Sequence, residues 1–287
     1  MKPYTLITNT HQMALGKKTL IMGILNVTPD SFSDGGHFFQ FNHAIEHALQ
    51  MEKQGADIID IGGESTRPFA KSVSVEEEIQ RVIPVIQNLS NKLSIPISID
   101  TQKAEVAKQA IQSGASIVND ISALRDPDMV NVVAEYQTPL IIMHMQGTPE
   151  TMQLKPEYTH LLSDIHQFFE KTIAYAEKNG VNSSKIIIDP GIGFGKSLTD
   201  NYQLIKYLHY FSQLDLPLLI GPSRKSFIRK IVLENQQDRM IDDKQAIEIG
   251  TQAAIAVCAL HGAHIVRVHD VAQSQITLKI IDMIRNV

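Results

Sequence analysis

The 287-residue sequence is short of the features that mark most specialised classes of protein, and each shortage removes a possibility. A single cysteine, Cys258, excludes an intramolecular disulfide and fits a reducing compartment. Its neighbours Ala256-Val257-Cys258-Ala259-Leu260 read as packed helix, so the thiol is expected to be buried and structural. No apolar run approaches the roughly 18 residues needed to cross a bilayer, and Met1-Lys2-Pro3-Tyr4-Thr5 lacks the charged-then-apolar layout of a signal peptide. The expectation is a cytoplasmic protein with no membrane partner. A basic excess is missing too: 26 Lys and Arg against 31 Asp and Glu leave a net charge of −5, without the attraction on which nucleic-acid binders rely. Nucleic acid is therefore not an expected partner. Low-complexity segments, close repeats and Pro/Gly/Ser-rich linkers are also lacking, which points to one domain over residues 1–287. What is present is an ordinary globular balance, 43% hydrophobic and 20% charged, able to bury a full core.

Short apolar runs recur along the chain, each ending in a polar residue or glycine and mostly followed by an amphipathic stretch. Eight strands are expected, at Leu20 to Asn26, Asp57 to Gly62, Pro96 to Asp100, Ser116 to Asn119, Pro139 to His144, Lys185 to Asp189, Pro217 to Gly221 and His264 to His269. Between them lie helical stretches such as Asn42 to Gln54, with Ala44, Ile45, Ala48, Leu49 and Met51 on one face and Gly55 as the stop. Ser74 with Glu77, and Thr101 with Glu105, look like helix starts, although only the first pair has capping-box spacing. Eight strands buried on both faces and joined by right-handed crossovers close into a (β/α)8 TIM barrel of ordinary length. Residues 1–18 precede the first strand and are expected to cover the bottom of the barrel.

In such a barrel chemistry sits at the C-terminal ends of the strands. Those ends carry Asn26, Asp100, Asn119, Asp189 and His269, with Arg267 two residues earlier on the same side and Lys225 just after the seventh strand. Several acids, amides and cations aimed into one pocket need partners, because an unpaired buried charge costs several kcal/mol. A polar heterocycle with a phosphate-bearing arm would supply both kinds.

Three other patterns read as structural. Asp189-Pro190-Gly191-Ile192-Gly193-Phe194-Gly195-Lys196-Ser197 follows a strand like a phosphate loop, but Pro190 stands where that loop needs glycine, and its alternating glycines miss the dinucleotide spacing. His43 and His47 are four apart on a helix without the glutamate of a zinc protease, which reads as a solvated face. Met143-His144-Met145 suggests pocket lining rather than a copper site.

At Asn26-Val27-Thr28-Pro29-Asp30-Ser31-Phe32-Ser33-Asp34-Gly35-Gly36 the sequence resembles the first signature of dihydropteroate synthases, and Gly62-Gly63-Glu64-Ser65-Thr66-Arg67-Pro68 resembles the second. Further agreement comes in order at Ile99-Asp100-Thr101, Asn119-Asp120-Ile121, Met143 to Gly147, Asp189-Pro190-Gly191, Ser223-Arg224-Lys225-Ser226 and Arg267 to Val271. The resemblance implies condensation of a dihydropterin pyrophosphate with p-aminobenzoate, with loss of pyrophosphate. It implies that Asp100, Asn119, Asp189 and Lys225 hold the pterin ring, with Met143 and Ile121 against its faces. A carboxylate such as Asp189 can accept the paired NH and NH2 of a pterin edge. By the same resemblance Asn26, Arg67, Arg267 and His269 hold the pyrophosphate, with Mg2+ aided by Asn26. Thr66, Arg67, Pro68, Gly193, Phe194, Lys225 and Ser226 contact p-aminobenzoate. Catalysis then rests on Asn26, Arg67, Asp100, Lys225, Arg267 and His269, and loops 27–40 and 63–75 close over the site. Members of the family are dimers, which implies a homodimer here; the small-residue helix Lys244 to Leu260 packs either on the barrel or on a second subunit.

A pterin-binding methyltransferase would share Asp100, Asn119 and Asp189 but needs no pyrophosphate clamp, so Asn26, Arg67, Arg267 and His269 together favour the synthase. A non-catalytic relative would be expected to have lost its loop signatures first, and both are nearly intact. One departure stands out. Phe69 follows Pro68 where the family has glycine, so the backbone there is expected to avoid positive φ.

Overall fold

Parallel strands covered on both faces need apolar side chains on both sides, and the short runs supply them. The computed structural model describes residues 1–27, 37–66, 70, 72–154, 156–234 and 241–287. Phe69, Arg67, Pro68 and most of the first signature lie outside the described residues.

An antiparallel hairpin, β1 (Tyr4–Ile7) and β2 (Gln12–Leu15), opens the chain. Eight parallel strands follow: β3 (Leu20–Asn26), β4 (Ile58–Gly62), β5 (Ile97–Asp100), β6 (Ile117–Asp120), β7 (Leu140–Met143), β8 (Ile186–Asp189), β9 (Leu219–Ile220) and β10 (Ile265–Val268). Their order is β8-β7-β6-β5-β4-β3-β10-β9, and a parallel bridge from Ile188 to Leu218 closes the ring between β8 and β9. The helices used below are α1 (His37–Lys53), α2 (Val75–Leu89), α3 (Ala104–Gln112), α4 (Pro127–Tyr136), α5 (Leu161–Lys178), α6 (Leu198–Lys206), α7 (Ser226–Leu233), α8 (Asp243–Leu260) and α9 (Val271–Arg285). This is the expected (β/α)8 barrel.

Side chains alternate along each strand, and the two sides feed two separate cores. Outward residues such as Ile21, Leu25, Ile59, Ile99, Ile142 and Val266 pack against the helices. Inward residues Met22, Ile58, Ile117, Ile141, Ile187, Leu219 and Ile265 fill the lower barrel, where Leu6, Met13 and Leu15 of the hairpin pack against them. Two positions further along, the same inward face carries Asp60 after Ile58, Asn119 after Ile117, Met143 after Ile141, Asp189 after Ile187 and Arg267 after Ile265. The register sets Asn26, Gly62, Asp100 and Asn119 in one row across four strands, with Met143 beside Asp189. A polar layer thus lies directly on an apolar floor.

Several boundaries differ from expectation. The seventh strand is reduced to Leu219–Ile220, since Pro217 has no N–H for the ladder and offers only its carbonyl, to Ile188 N at 3.0 Å. β6 runs on to Asp120, whose carboxylate accepts from Ser122 N and Leu124 N and fixes the turn that follows. Ser74 caps α2 through Glu77 N as expected, but Thr101 and Glu105 do not start α3. Lys103 holds that N-cap position without a side-chain cap, and Asp126 of the next unit takes Ala104 N at 2.8 Å instead. Helix α1 extends further toward its N-terminus than Asn42. His43 and His47 are exposed on it, and burial followed by the nearby His43 lowers the His47 pKa. Cys258 is fully buried, which pushes its thiol up to about 12 and leaves it inert.

Candidate active site

The polar layer is organised by one arginine. Arg267 rises from β10 and donates from Nε to Asp60 Oδ2 and from Nη2 to Asp100 Oδ2, both at 2.6 Å. Asn119 Nδ2 reaches the same Asp60 oxygen at 3.0 Å. Asp60 is the residue that the sequence did not single out, because an acid between isoleucines in Ile58-Ile59-Asp60-Ile61 reads as an interruption of a core strand. Its signal was the period of two, which places it on the inward face with the other site residues. The internal partners also correct the expectation that these charges all await a ligand: Arg267 is already shared between two carboxylates.

The sharing is incomplete. Asp60 Oδ1 and Asp100 Oδ1 are buried and find no hydrogen-bond partner among the described residues. Burial pushes the Asp100 carboxyl up to about 7, and Arg267 fails to hold it down because Asp60 claims the same guanidinium and adds a like charge. Burial likewise raises Asp189 to about 6 and draws Lys225 down to about 7, with the positive charge of Arg267 adding to the second effect. Carboxyls and an amine poised near neutrality at the bottom of a barrel mouth fit a ligand edge that both donates and accepts hydrogen bonds.

Next to these groups lies an apolar wall of Ile121, Met143, Met145, Met152 and Phe194. Lys225 Nζ sits 3.7 Å from the centre of the Phe194 ring, so the ammonium covers one aromatic face. The loop carrying Phe194 is held from all sides. Gly193 N donates to Asn201 Oδ1 at 2.6 Å, Gly193 O accepts from Gln153 Nε2 at 3.0 Å, and Lys196 Nζ donates to Phe194 O at 2.9 Å. Gly191, at φ +72°, cannot be replaced: a Cβ there would stand 1.9 Å from His144 O. Lys196, the lysine of the phosphate-loop look-alike, is buried and lies 3.0 Å from His144 Nδ1. Burial, then Lys196, hold that imidazole down at about 2, so it stays neutral.

A model of the family described as pterin binding enzyme matches residues 22–269. A dihydropteroate synthase of Synechocystis sp. is 50% identical over 91% of this chain and 89% of its own length. The chain belongs to the dihydropteroate synthase family. The Escherichia coli dihydropteroate synthase is 44% identical over 91% of this chain and 90% of its own length. Among solved structures, the Xanthomonas albilineans dihydropteroate synthase with 4-aminobenzoic acid superposes with a TM-score of 0.90 at 39% identity, covering 100% of both chains. The Yersinia pestis dihydropteroate synthase in a sulfonamide drug complex gives 0.89 at 40% identity, covering 99% of this chain and 100% of that one.

Read as a dihydropteroate synthase, the barrel brings Asp100, Asn119, Asp189, Lys225 and Arg267 together over Ile121 and Met143. Thr66 lines a narrow cleft with Asp100 and Ile121. Ser226 is the first residue of α7, at a helix N-terminus whose dipole favours negative charge. His269 lies just past β10 and pairs through Nδ1 with Ser223 Oγ at 2.9 Å. Asn26 ends β3, half-buried at the mouth. For the Mg2+ of dihydropteroate synthases, no cluster of three or more His, Cys, Asp or Glu suited to a metal occurs among the described residues. The resemblance assigns the ion to Asn26, which would offer one hard amide oxygen. That suits Mg2+, which keeps several waters and binds through one or two protein oxygens plus substrate phosphates.

Proposed function

We propose that this chain condenses 6-hydroxymethyl-7,8-dihydropterin pyrophosphate with p-aminobenzoate, giving 7,8-dihydropteroate and pyrophosphate in folate synthesis. The observation that carries the reading is the inward polar layer of Asp60, Asp100, Asn119, Asp189, Lys225 and Arg267 on one rigid barrel. Its half-satisfied carboxylates and cations complement a pterin edge.

The pterin amidine edge donates to Asp189, whose Oδ1 is oriented by Gly191 N at 2.8 Å, while Lys225 donates to a ring acceptor. Ile121 and Met143 supply the apolar faces. The methylene C–O bond then breaks, the electron pair leaving with pyrophosphate, and Asp100 stabilises the cationic pterin. The neutral arylamine attacks the methylene carbon and gives up a proton, which needs no strong base. Arg267, His269 and Arg67 stabilise the charge growing on the leaving oxygen. Asn26 would hold Mg2+, which supplies further neutralisation of the pyrophosphate when bound. Thr66, Pro68, Gly193, Phe194 and Ser226 position p-aminobenzoate, with Ser226 and the α7 N-terminus on its carboxylate. Closure of loops 27–40 and 63–75 would keep water from the cation. Incubating the purified protein with Mg2+ and both substrates, with the product read by mass spectrometry, tests this. The expected product has the joined mass; hydrolysed pterin alone would contradict it.

The working form we infer is a cytoplasmic homodimer. Helices α8 and α9 pack side by side and leave Ile249, Val257 and Leu260 on one, and Ile276, Ile280 and Met283 on the other, exposed, Ile276 to 65% and Met283 to 66%. Continuous exposed apolar rows of this kind mark an interface. Light scattering at micromolar concentration should give twice the 32.0 kDa chain mass, and a monomer mass would count against it.

A further inference from the structure

A second buried ionic cluster lies outside the pterin layer, at the root of the loop between β4 and α2. Glu64 leaves β4 two residues after its end, and Glu78 stands in the first turn of α2, which receives the loop. Both carboxylates bind the single ammonium of Lys103, which belongs to a third element, the N-cap of α3. Lys103 Nζ donates to Glu64 Oε2 and, at 2.5 Å, to Glu78 Oε2. The three side chains are 10%, 1% and 18% exposed for Glu64, Glu78 and Lys103, so the contacts are shielded from water and from salt. Two carboxylates share one cation, and Glu78 Oε1 has no hydrogen-bond partner among the described residues.

The same root is pressed onto α2 by a second contact. Arg81 Nη1 donates to Gly63 O at 2.6 Å, and a Cβ on Gly63 would come within 2.7 Å of Val82 Cγ1. Two residues beyond Glu64, Thr66 shares a narrow cleft with Glu78, Asp100 and Ile121. The ionic cluster therefore adjoins the pterin layer through Thr66.

We propose that Lys103 is a positioning residue that staples the two ends of loop 63–74 together and so sets Thr66 for p-aminobenzoate. This rests on the reading above that Thr66 faces that substrate. Without the ammonium, two buried like charges face each other across the neck, and repulsion spreads the ends that a cation now holds. Joining the ends of a loop lowers the entropy that must be lost when its residues take up one position. The pterin pocket is built on barrel strands, and Glu78 acts on it through its like charge beside Asp100.

The test uses full-length Lys103→Met and Lys103→Arg. In Lys103→Met, KM for p-aminobenzoate should rise on the order of tenfold, the scale of a misplaced positioning group. The dissociation constant of dihydropterin pyrophosphate, by calorimetry without p-aminobenzoate, should stay within about threefold, and Lys103→Arg should restore most of the loss. Amide hydrogen exchange should speed up in peptides spanning 62–78 and not in β5 or β6. A folded Lys103→Met with unchanged KM for p-aminobenzoate, or with both substrates weakened alike, overturns the proposal. Should that variant not fold, Glu64→Leu removes only the contact from Lys103 to the outgoing end of the loop, and an unchanged KM and unchanged exchange there overturn it equally. The exchange measurement needs no turnover: if the wild-type protein made no dihydropteroate, the functional reading would fall while the staple remained open to refutation.

Discussion

Replacing Asp60 tests whether the polar layer is built around Arg267. Asp60 is fully buried, and its Oδ2 accepts from Arg267 Nε at 2.6 Å and from Asn119 Nδ2 at 3.0 Å. Asp60→Asn keeps the shape and one acceptor but exchanges the ion pair with Arg267 for a bond from the same cation to a neutral oxygen, a difference of about 1 to 2 kcal/mol. For a chain of this size that lowers the melting temperature by roughly 2 to 8 °C. Relief of the repulsion between Asp60 and Asp100 offsets part of the loss and should let the Asp100 carboxyl fall below its present value of about 7. Asp60→Leu removes both bonds and leaves an arginine with one carboxylate, which costs about 3 to 5 kcal/mol. Differential scanning calorimetry should therefore order the proteins wild type, Asn, Leu, and a carboxyl titration by NMR should move Asp100 downward in the Asn variant. Equal melting temperatures for the Asn and Leu variants would refute the reasoning, since Asp60 would then only fill space.

Asp189→Asn should weaken pterin binding by about 1.5 to 3 kcal/mol, one to two powers of ten, and calorimetry showing unchanged affinity sinks the pterin-edge assignment. The same pair of proteins carries a pH signature. Asp189 in the folded state titrates at about 6, above its unfolded value of about 3.9, so between these values the native protein holds the extra proton. The stability of wild type relative to the variant should fall as pH rises from 4 to 6.5 and then level off; a rise over that window contradicts the raised pKa. Arg267→Ala, which the sequence alone marks as a turnover variant, should also destabilise the fold by about 3 to 5 kcal/mol by stranding Asp60 and Asp100. Arg267→Lys keeps one charge and is the cleaner probe: kcat should drop at least tenfold with pterin affinity nearly kept, and equal loss toward an alcohol analogue without pyrophosphate counts against a role on the leaving group.

The barrel was legible because strands such as Ile186–Asp189 are buried on both faces and so read as unbroken apolar runs ending in a polar residue. The site was legible where a charge terminated such a run, as at Asp100 and Asp189. It was not legible at Asp60, where the acid sits inside the run and its meaning depends on which face the strand turns inward. The hairpin of Tyr4–Ile7 and Gln12–Leu15 was missed because four-residue strands offer too little alternation to register. Lys103 was passed over because its two partners, Glu64 and Glu78, are 39 and 25 residues away in sequence and meet it only in the folded barrel. The glycines at 191 and 195, read from the sequence as structural and not as a phosphate loop, serve a loop pressed against the backbone of His144 and Gln146.

The most direct test of the central claim is the initial rate of pyrophosphate release by the purified wild-type protein with Mg2+ and dihydropterin pyrophosphate, with and without p-aminobenzoate. Saturating release that depends on p-aminobenzoate, with one dihydropteroate formed per pyrophosphate, is the expected result. Release that proceeds equally without p-aminobenzoate, or no release at all from folded protein, would contradict it.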